Sequence, residues 1–295
     1  MRSFSSVPLA AGLAVAVLGG AAVAALAPGA TIDVDLAPTA QAGEFVWHDL
    51  LTDDAEASRK FYGALFGWTF EDGQGIDPGY TIIKDGGQPI GGLVTVKRPE
   101  PDAEIAQWLV YVMVPEVDAA TKAFRDAGGR VYRGPLDARS DLRVAIVADG
   151  QGAPIGLASR GTKFAVEMPP PINRWLWMEY LAQDAPTALE FYSRVIGFTS
   201  EIRDTRQNFI YHVLKTDRPR AGLFQSPWKR DASAWLPYLR VEDPTAMAQR
   251  VKQLGGSILL APEPNIRNGS LAIVLDPTGA PLALQKFPFA SPVTP

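Results

Sequence analysis

The chain is written twice over. Trp47-His48-Asp49-Leu50-Leu51, followed by Phe61-Tyr62, returns as Trp177-Met178-Glu179-Tyr180-Leu181, followed by Phe191-Tyr192, at an offset of 130 residues (47 to 177). Later landmarks agree on an offset of 127 (149 to 276): Trp108 and Tyr111 recur as Trp235 and Tyr238, Gly128-Gly129 as Gly255-Gly256, and Asp149-x-x-Gly152-x-Pro154 as Asp276-x-x-Gly279-x-Pro281. Three residues were therefore lost between the halves. Solenoid repeats have periods of roughly 20 to 50 residues; a period near 130 is domain-sized, and 295 residues accommodate two domains. Whatever site the chain carries was built twice.

Each half reads as two units of strand, helix and further strands. Phe45 to Leu51 is a short apolar run with aromatics, and Asp53 with Glu56 three residues later resembles a capping box that opens a helix. That helix carries Ala57, Phe61 and Leu65 on one face and ends at Gly67. Tyr80 to Lys84 and Gly92 to Val96, around Asp85-Gly86-Gly87, predict a β-hairpin. A second unit opens at Trp108 to Val114, runs through a helix from about Val117 to Ala127, stops at Gly128-Gly129, and closes with strands near Val131, Val144 to Val147 and Ile155 to Ala158. In the second half Trp175 to Leu181 is the first strand, Asp184 and Asp243-Pro244 are helix caps, and Gly255-Gly256 ends the last helix. The halves are thus 44–160 and 174–288, joined by a stiff linker 161–173 that contains Met168-Pro169-Pro170-Pro171, with 289–295 as a tail.

Leu9 to Ala27 is a 19-residue run of Leu, Ala, Val, Gly and Pro-free apolar sequence, preceded by Arg2 and closed by Pro28. Its length lies between a signal-peptide core and a membrane span. Small-x-small cleavage sites stand at Ala25-Leu26-Ala27 and Ala40-Gln41-Ala42. Residues 1–43 are accordingly expected to be a signal peptide or an uncleaved membrane anchor plus linker, with the globular part exported to the periplasm or held outside the membrane. The net charge of −4 and a pI near 5.3 provide no basic field for a phosphate backbone, which argues against nucleic acid as a partner. The chain has no cysteine, so neither disulfide nor thiol chemistry is available.

Several motifs together resemble the vicinal-oxygen-chelate superfamily, which includes glyoxalases, bleomycin-resistance proteins and extradiol dioxygenases. They are Phe61-Tyr62-x3-Phe66-Gly67-Trp68 and Phe191-Tyr192-x3-Ile196-Gly197-Phe198 after a strand, the helix-ending Gly-Gly pairs, and the turns Asp149-Gly150-Gln151-Gly152 and Asp276-Pro277-Thr278-Gly279. The resemblance implies an α+β fold of four βαβββ units that form two tandem half-barrel cups, and a divalent metal held by inward side chains. By residue counting, the implied ligand positions fall on Trp47 and Trp177, on Leu109 and Leu236, and on Gly156 and Ala283. None of these is a metal ligand, so the sequence predicts no metal site and no cofactor.

Strand alternation then assigns faces. If Trp47 and Trp177 point into the cups, so do Asp49 and Glu179, Tyr111 and Tyr238, and Met113 and Arg240. An inward acid among aromatic and aliphatic side chains is either a general base with a raised pKa or a carboxylate satisfied by hydrogen bonds. His48 is expected on the opposite face as a polar neighbour of the helix or an interface residue, Trp108 and Trp235 as packing residues at the strand entry, and His212 as a further candidate contact whose face the sequence leaves open. Three functions follow. The first is an exported protein that binds a small organic molecule in its cups, with Trp47, Tyr111, Met113, Trp177, Tyr238, Arg240 and His212 as contacts. The second is a glyoxalase-type lyase or isomerase with Asp49 or Glu179 as base. The third is a partner-binding module whose cups are filled by their own rings.

Overall fold

A computed structural model describes residues 41–72, 80–98, 105–139, 141–160, 170–206, 209–228 and 232–287. The apolar run at 9–27, residues 161–169 of the predicted linker and the 289–295 tail lie outside them. Among the described residues no helix is long and apolar enough to cross a membrane.

The first half contains β1 (Phe45–Thr52), α1 (Ala55–Phe66), β2 (Thr69–Asp72), β3 (Tyr80–Asp85) and β4 (Gln88–Thr95), then β5 (Gln107–Met113), α2 (Val117–Asp126), β6 (Arg130–Arg139), β7 (Leu142–Ala148) and β8 (Pro154–Arg160). The second repeats it as β9 (Trp175–Ala182), α3 (Ala185–Ile196), β10 (Thr199–Arg206), β11 (Phe209–Lys215), β12 (Pro219–Gln225), β13 (Ala234–Arg240), α4 (Pro244–Gln253), β14 (Ser257–Leu260), β15 (Leu271–Leu275) and β16 (Pro281–Gln285). Each half is one eight-stranded mixed sheet, ordered β2-β3-β4-β1-β5-β8-β7-β6 and β10-β11-β12-β9-β13-β16-β15-β14. The four βαβββ units and the two tandem half-barrels expected from the sequence are therefore present. In each sheet the two units meet at their first strands, which run antiparallel.

Local chemistry sets the element ends. Gly67 and Gly197 close α1 and α3 in the left-handed region, at φ 75° and 83°, where a side chain would be strained. Asp184 and Asp243 cap α3 and α4 as expected, but α1 is capped by Asp54, whose carboxylate accepts from the Ala57 amide, and not by Asp53. The Asp53 carboxylate instead accepts from Arg98 across the strand end. Chain direction out of β1 decides between two adjacent acids that the sequence pattern scores alike.

The central strands are apolar on both faces because both faces are covered. One face of each sheet lines its own cup: Trp47, Leu51, Leu109, Tyr111 and Met113 pack together in the first, and Leu236, Tyr238, Leu271 and Ala283 in the second. The other face, carrying the helices, packs against the opposite half. Val110, Val112 and Phe124 join Met178, Tyr180 and Tyr192 in one shared core, while Leu50, Phe61 and Tyr62 join Leu239, Val251 and Val274 in another. The halves thus sit back to back.

Polar side chains lock this joint by the same rule on both sides. Tyr192 donates to Asp149 Oδ2 at 2.8 Å and accepts from Trp235 Nε1 at 2.9 Å, and Tyr180 donates to the same Asp149 oxygen at 2.5 Å. At the repeated positions, Tyr62 accepts from Trp108 Nε1 at 3.2 Å and faces Asp276. Burial raises the pKa of both aspartates. Trp108 and Trp235 are packing residues of the joint, as strand parity predicts.

Candidate functional site

The floor of each cup is a row of residues brought side by side by strand register. Trp47 pairs with Tyr111, and Tyr111 with Gly156; Trp177 pairs with Tyr238, and Tyr238 with Ala283. Leu109 and Leu236 face the cups but lie two residues along, opposite Asp49 and Glu179. The register neighbour of the floor tryptophan is therefore a tyrosine in both halves, and the leucines at the positions implied by the family resemblance face the same cups beside the acids.

In the first cup, Asp49 Oδ1 accepts from Trp47 Nε1 at 2.9 Å and from the Tyr80 hydroxyl at 2.8 Å, and Trp47 Nε1 also lies 3.0 Å from the Tyr80 oxygen. Tyr80 comes from β3, which the hairpin and β4 carry over the cup beside β1. Gly92 makes room: a Cβ there would stand 2.1 Å from the Tyr80 hydroxyl and 2.3 Å from Asp49 Oδ1. Gly156 does the same for Tyr111, whose ring would lie 2.1 Å from an added Cβ. Asp49 is 1% exposed, and among the described residues no cation pairs with it. Burial pushes its pKa up to about 6, against the opposing hydrogen bond from Tyr80. The Tyr111 hydroxyl is fully buried beside the Asp49 carboxyl; burial raises its pKa, the Asp49 charge reinforces the rise, and the Arg133 guanidinium opposes it.

The second cup has the same plan with one addition. Trp177 Nε1 donates to the Tyr211 hydroxyl at 3.1 Å, Tyr211 donates to Glu179 Oε1 at 2.7 Å, and Tyr238 donates to Glu179 Oε2. Gly222 makes room for Tyr211 as Gly92 does for Tyr80. Arg267, on a 3-10 turn (Arg267–Gly269) before β15, forms a buried ion pair with Glu179. Its other nitrogen donates to Gln285 Oε1 at 3.0 Å, and its guanidinium lies 5.2 Å from the Tyr238 ring centre and 5.8 Å from that of Tyr211. Burial opposes the guanidinium charge, but Glu179 and the two phenols outweigh it and raise its pKa. Glu179 is thus a carboxylate held by an arginine and two phenols.

Of the other candidates, Met113 is buried in the first cup's wall. Arg240 donates to the carbonyls of Pro170 and Phe287 and lies over the Phe287 ring, so it ties down the chain entering and leaving the second half. His212 follows Tyr211 in an unbroken strand, and since Tyr211 reaches Glu179, His212 turns to the face away from the cup. His48 lies on the joint face as expected, stacked on Trp175 with ring centres 4.0 Å apart at 14°. Burial pushes its pKa down to about 3, which keeps it neutral. With Trp175, Trp177 and Arg218 it borders a cleft of about 130 Å³ between the halves. Tyr80, Tyr211 and Arg267 are the site residues that the sequence did not reveal.

The metal that the fold family implies does not fit these side chains. The register row offers Trp, Tyr and Gly in one cup and Trp, Tyr and Ala in the other, and the described residues contain no group of three or more His, Cys, Asp or Glu able to hold an ion. A lone carboxylate already engaged by Trp and Tyr donors is short of the three or four ligands such a site needs.

Comparison with known proteins places this geometry in a family. The chain belongs to the glyoxalase/bleomycin resistance protein/dioxygenase superfamily, which matches residues 174–284, while a bleomycin resistance protein-like N-terminal domain matches residues 44–84. It is 28% identical over 246 residues to the putative glyoxylase CFP32 of Mycobacterium tuberculosis, covering 81% of this chain and 93% of that protein. It is 29% identical over 270 residues to the anthracycline biosynthesis protein DauV of Streptomyces sp. strain C5, covering 85% of this chain and 95% of that protein. Among solved structures, its fold is similar to that of the Mn(II)-bound glyoxalase from Novosphingobium aromaticivorans, with a TM-score of 0.57 at 15% identity over 83% of this chain and 82% of that one. It is also similar to 2,2',3-trihydroxybiphenyl 1,2-dioxygenase from Sphingomonas wittichii, with a TM-score of 0.53 at 15% identity over 84% and 90%.

Proposed function

We propose that this protein is an exported, small-molecule-binding member of the superfamily that works without the family metal. The observation that carries the reading is the cup floor: across β1, β5 and β8 this chain aligns Trp47, Tyr111 and Gly156, none of them a usual metal ligand, with Asp49 two residues further along β1. Aromatic walls with one or two convergent polar groups are the usual lining of a small-molecule site. The likeness to proteins described as acting in anthracycline biosynthesis supports a planar aromatic ligand, and the likeness to a putative glyoxylase supports a carbonyl compound. Trp47 Nε1 is bonded at the cup floor, so tryptophan fluorescence reports occupancy. Titration with a panel of aromatic ketones and quinones, beside elemental analysis of the purified protein, tests the reading. Saturable quenching without stoichiometric manganese, iron, nickel or zinc supports it, and one tightly held metal per domain sinks it.

One observation favours a second reading, a lyase or isomerase with Asp49 as base. Its pKa near 6 suits proton transfer around neutral pH, and the Tyr80 and Tyr111 hydroxyls stand beside it. Turnover of α-ketoaldehyde thiol adducts that disappears in Asp49→Asn would establish it. The export assignment rests on the apolar run from Leu9 to Ala27. Protease added to spheroplasts should reach the globular part, and protection until lysis would contradict export.

A further inference from the structure

The cleft of about 130 Å³ between the halves is framed by the first residues of β1 and β9 and by the entry to β12 at Arg218. Because β1 and β9 are repeat equivalents, the same positions line it twice: Phe45 and His48 from one half, Trp175 and Met178 from the other, at the 130-residue offset. His48 is the polar member of this set. It is 2% exposed, its ring is stacked on Trp175, and among the described residues neither of its ring nitrogens has a hydrogen-bond partner. Met178, at the equivalent place, is equally buried and fills its position with an apolar side chain. The fold therefore accepts an apolar residue here, yet one half carries an imidazole whose nitrogens meet no protein group. Buried polar atoms are nearly always paired, so an unpaired one that borders open space marks a place for a group from outside.

We propose that this cleft is a small-molecule site outside both cups, and that it takes a neutral single-ring phenol whose hydroxyl bonds a ring nitrogen of His48. Size sets the single ring, since an apolar cavity of roughly 150 Å³ holds a benzene molecule. Phe45, Trp175 and Trp177 supply aromatic walls for it. Charge sets neutrality. Arg218 and Arg220 both pair with Glu44, and Arg220 pairs also with Asp217, so this cluster of two arginines and two acids has no net charge to offer a ligand. The imidazole sets the hydroxyl. Burial keeps it neutral, with one N–H and one bare nitrogen, and no protein group among the described residues fixes which nitrogen is which. A hydroxyl meets either one, accepting from the N–H or donating to the bare nitrogen, whereas an ether or ketone meets the N–H alone. The site does not rest on the cup reading, because its polar anchor lies on the joint face.

The test uses the full chain and two probes of one shape, phenol and toluene, which differ by the hydroxyl. The chain has two histidines, His48 and His212, so nitrogen-15 labelling of histidine gives a spectrum of two side chains, assigned through His212→Asn. Expected is a saturable shift of a His48 ring nitrogen with phenol, with His212 unmoved, at concentrations below those that unfold the chain. His48→Phe keeps a ring against Trp175 and removes both nitrogens. It should weaken phenol binding about tenfold, as the loss of one buried hydrogen bond does, and leave toluene binding unchanged. Should that variant fail to fold, the labelled wild-type titration decides alone. A His48 resonance that phenol leaves unmoved overturns the inference, and so does phenol affinity that survives His48→Phe or falls together with that of toluene. Saturable tryptophan quenching by phenol with His48 unmoved overturns it too, with the cup reading left standing.

Discussion

The Asp49 carboxyl makes the stability of the fold depend on pH in a direction opposite to that of an ordinary salt-bridged acid. Its pKa is pushed from 3.8 in the open chain to about 6 in the folded one, chiefly by burial. Between those values the folded state holds a proton that the unfolded state has lost, so stability falls as pH rises through the window and the loss is complete above about pH 6. At about 1.36 kcal/mol per unit, a displacement from 3.8 to about 6 amounts to about 3 kcal/mol. Asp49→Asn keeps the shape and the acceptor for Trp47 and Tyr80, but cannot ionise. The variant should therefore match the wild type near pH 4 and exceed it by about 3 kcal/mol at pH 7.5, or by about 6 to 12 °C in melting temperature. Urea denaturation of both proteins at the two pH values, followed by tryptophan fluorescence, reads the difference, in which the other titrating groups cancel. A gap between the two proteins that is the same at both pH values would refute the reasoning, because it would mean that Asp49 ionises in the fold as easily as in water. A wild type that gains on the variant as pH rises would show that its donors outweigh burial.

Three further outcomes follow from the same geometry. Glu179→Gln should cost about 3 kcal/mol in urea denaturation, since it leaves Arg267 in the second cup without its counter-charge; adding Arg267→Met should restore most of the loss by returning the cup to an apolar, neutral filling. Tyr192→Phe removes the donor to Asp149 and the acceptor of Trp235 Nε1, and should cost about 1 to 3 kcal/mol by the same assay. Gly156→Ala puts a methyl group 2.1 Å from the Tyr111 ring and should cost about 1 to 3 kcal/mol by overpacking, with a displaced Trp47 fluorescence maximum as the ring moves on the floor that the two share.

What the sequence made legible follows from which physical rule was strictly periodic. A period of two on β1, β5, β9 and β13 was enough to put Trp47, Asp49, Tyr111, Trp177, Glu179 and Tyr238 on cup faces, because a strand has only two. Register is a different quantity: a shift of two residues preserves the face and changes the neighbour, so the face alone did not say that Trp47 would pair with Tyr111 and Asp49 with Leu109. Tyr80 and Tyr211 were hidden because the repeat does not hold there, with 12 residues from Tyr80 to Gly92 and 11 from Tyr211 to Gly222. Arg267 sits on a turn at φ 48°, outside any periodic element, and nothing in its neighbours announces a partner 88 residues away. His212 and Arg240 were candidate contacts by residue type; strand alternation turns His212 away from the cup, and Arg240 bonds the Pro170 and Phe287 carbonyls.

The repeated residues are retained for two separate reasons, and the structure separates them. Tyr62, Trp108 and Asp276 at one end of the joint, and Tyr192, Trp235 and Asp149 at the other, each join a tyrosine and tryptophan of one half to the turn aspartate of the opposite half. A change on one side strands a buried polar group on the other, so the joint has to stay symmetric. The cups carry no such constraint. Each is lined only by its own half, and each looks away from the joint, so a substitution in one leaves the other's contacts intact. Duplication thus fixed the shared back of the protein and freed its two fronts. In the second cup a cation arrived and closed the acid off. In the first, Asp49 is held by Trp47 and Tyr80 and has no ion-pair partner among the described residues. The first cup is left with a buried acid whose ionisation the rest of the fold has to bear.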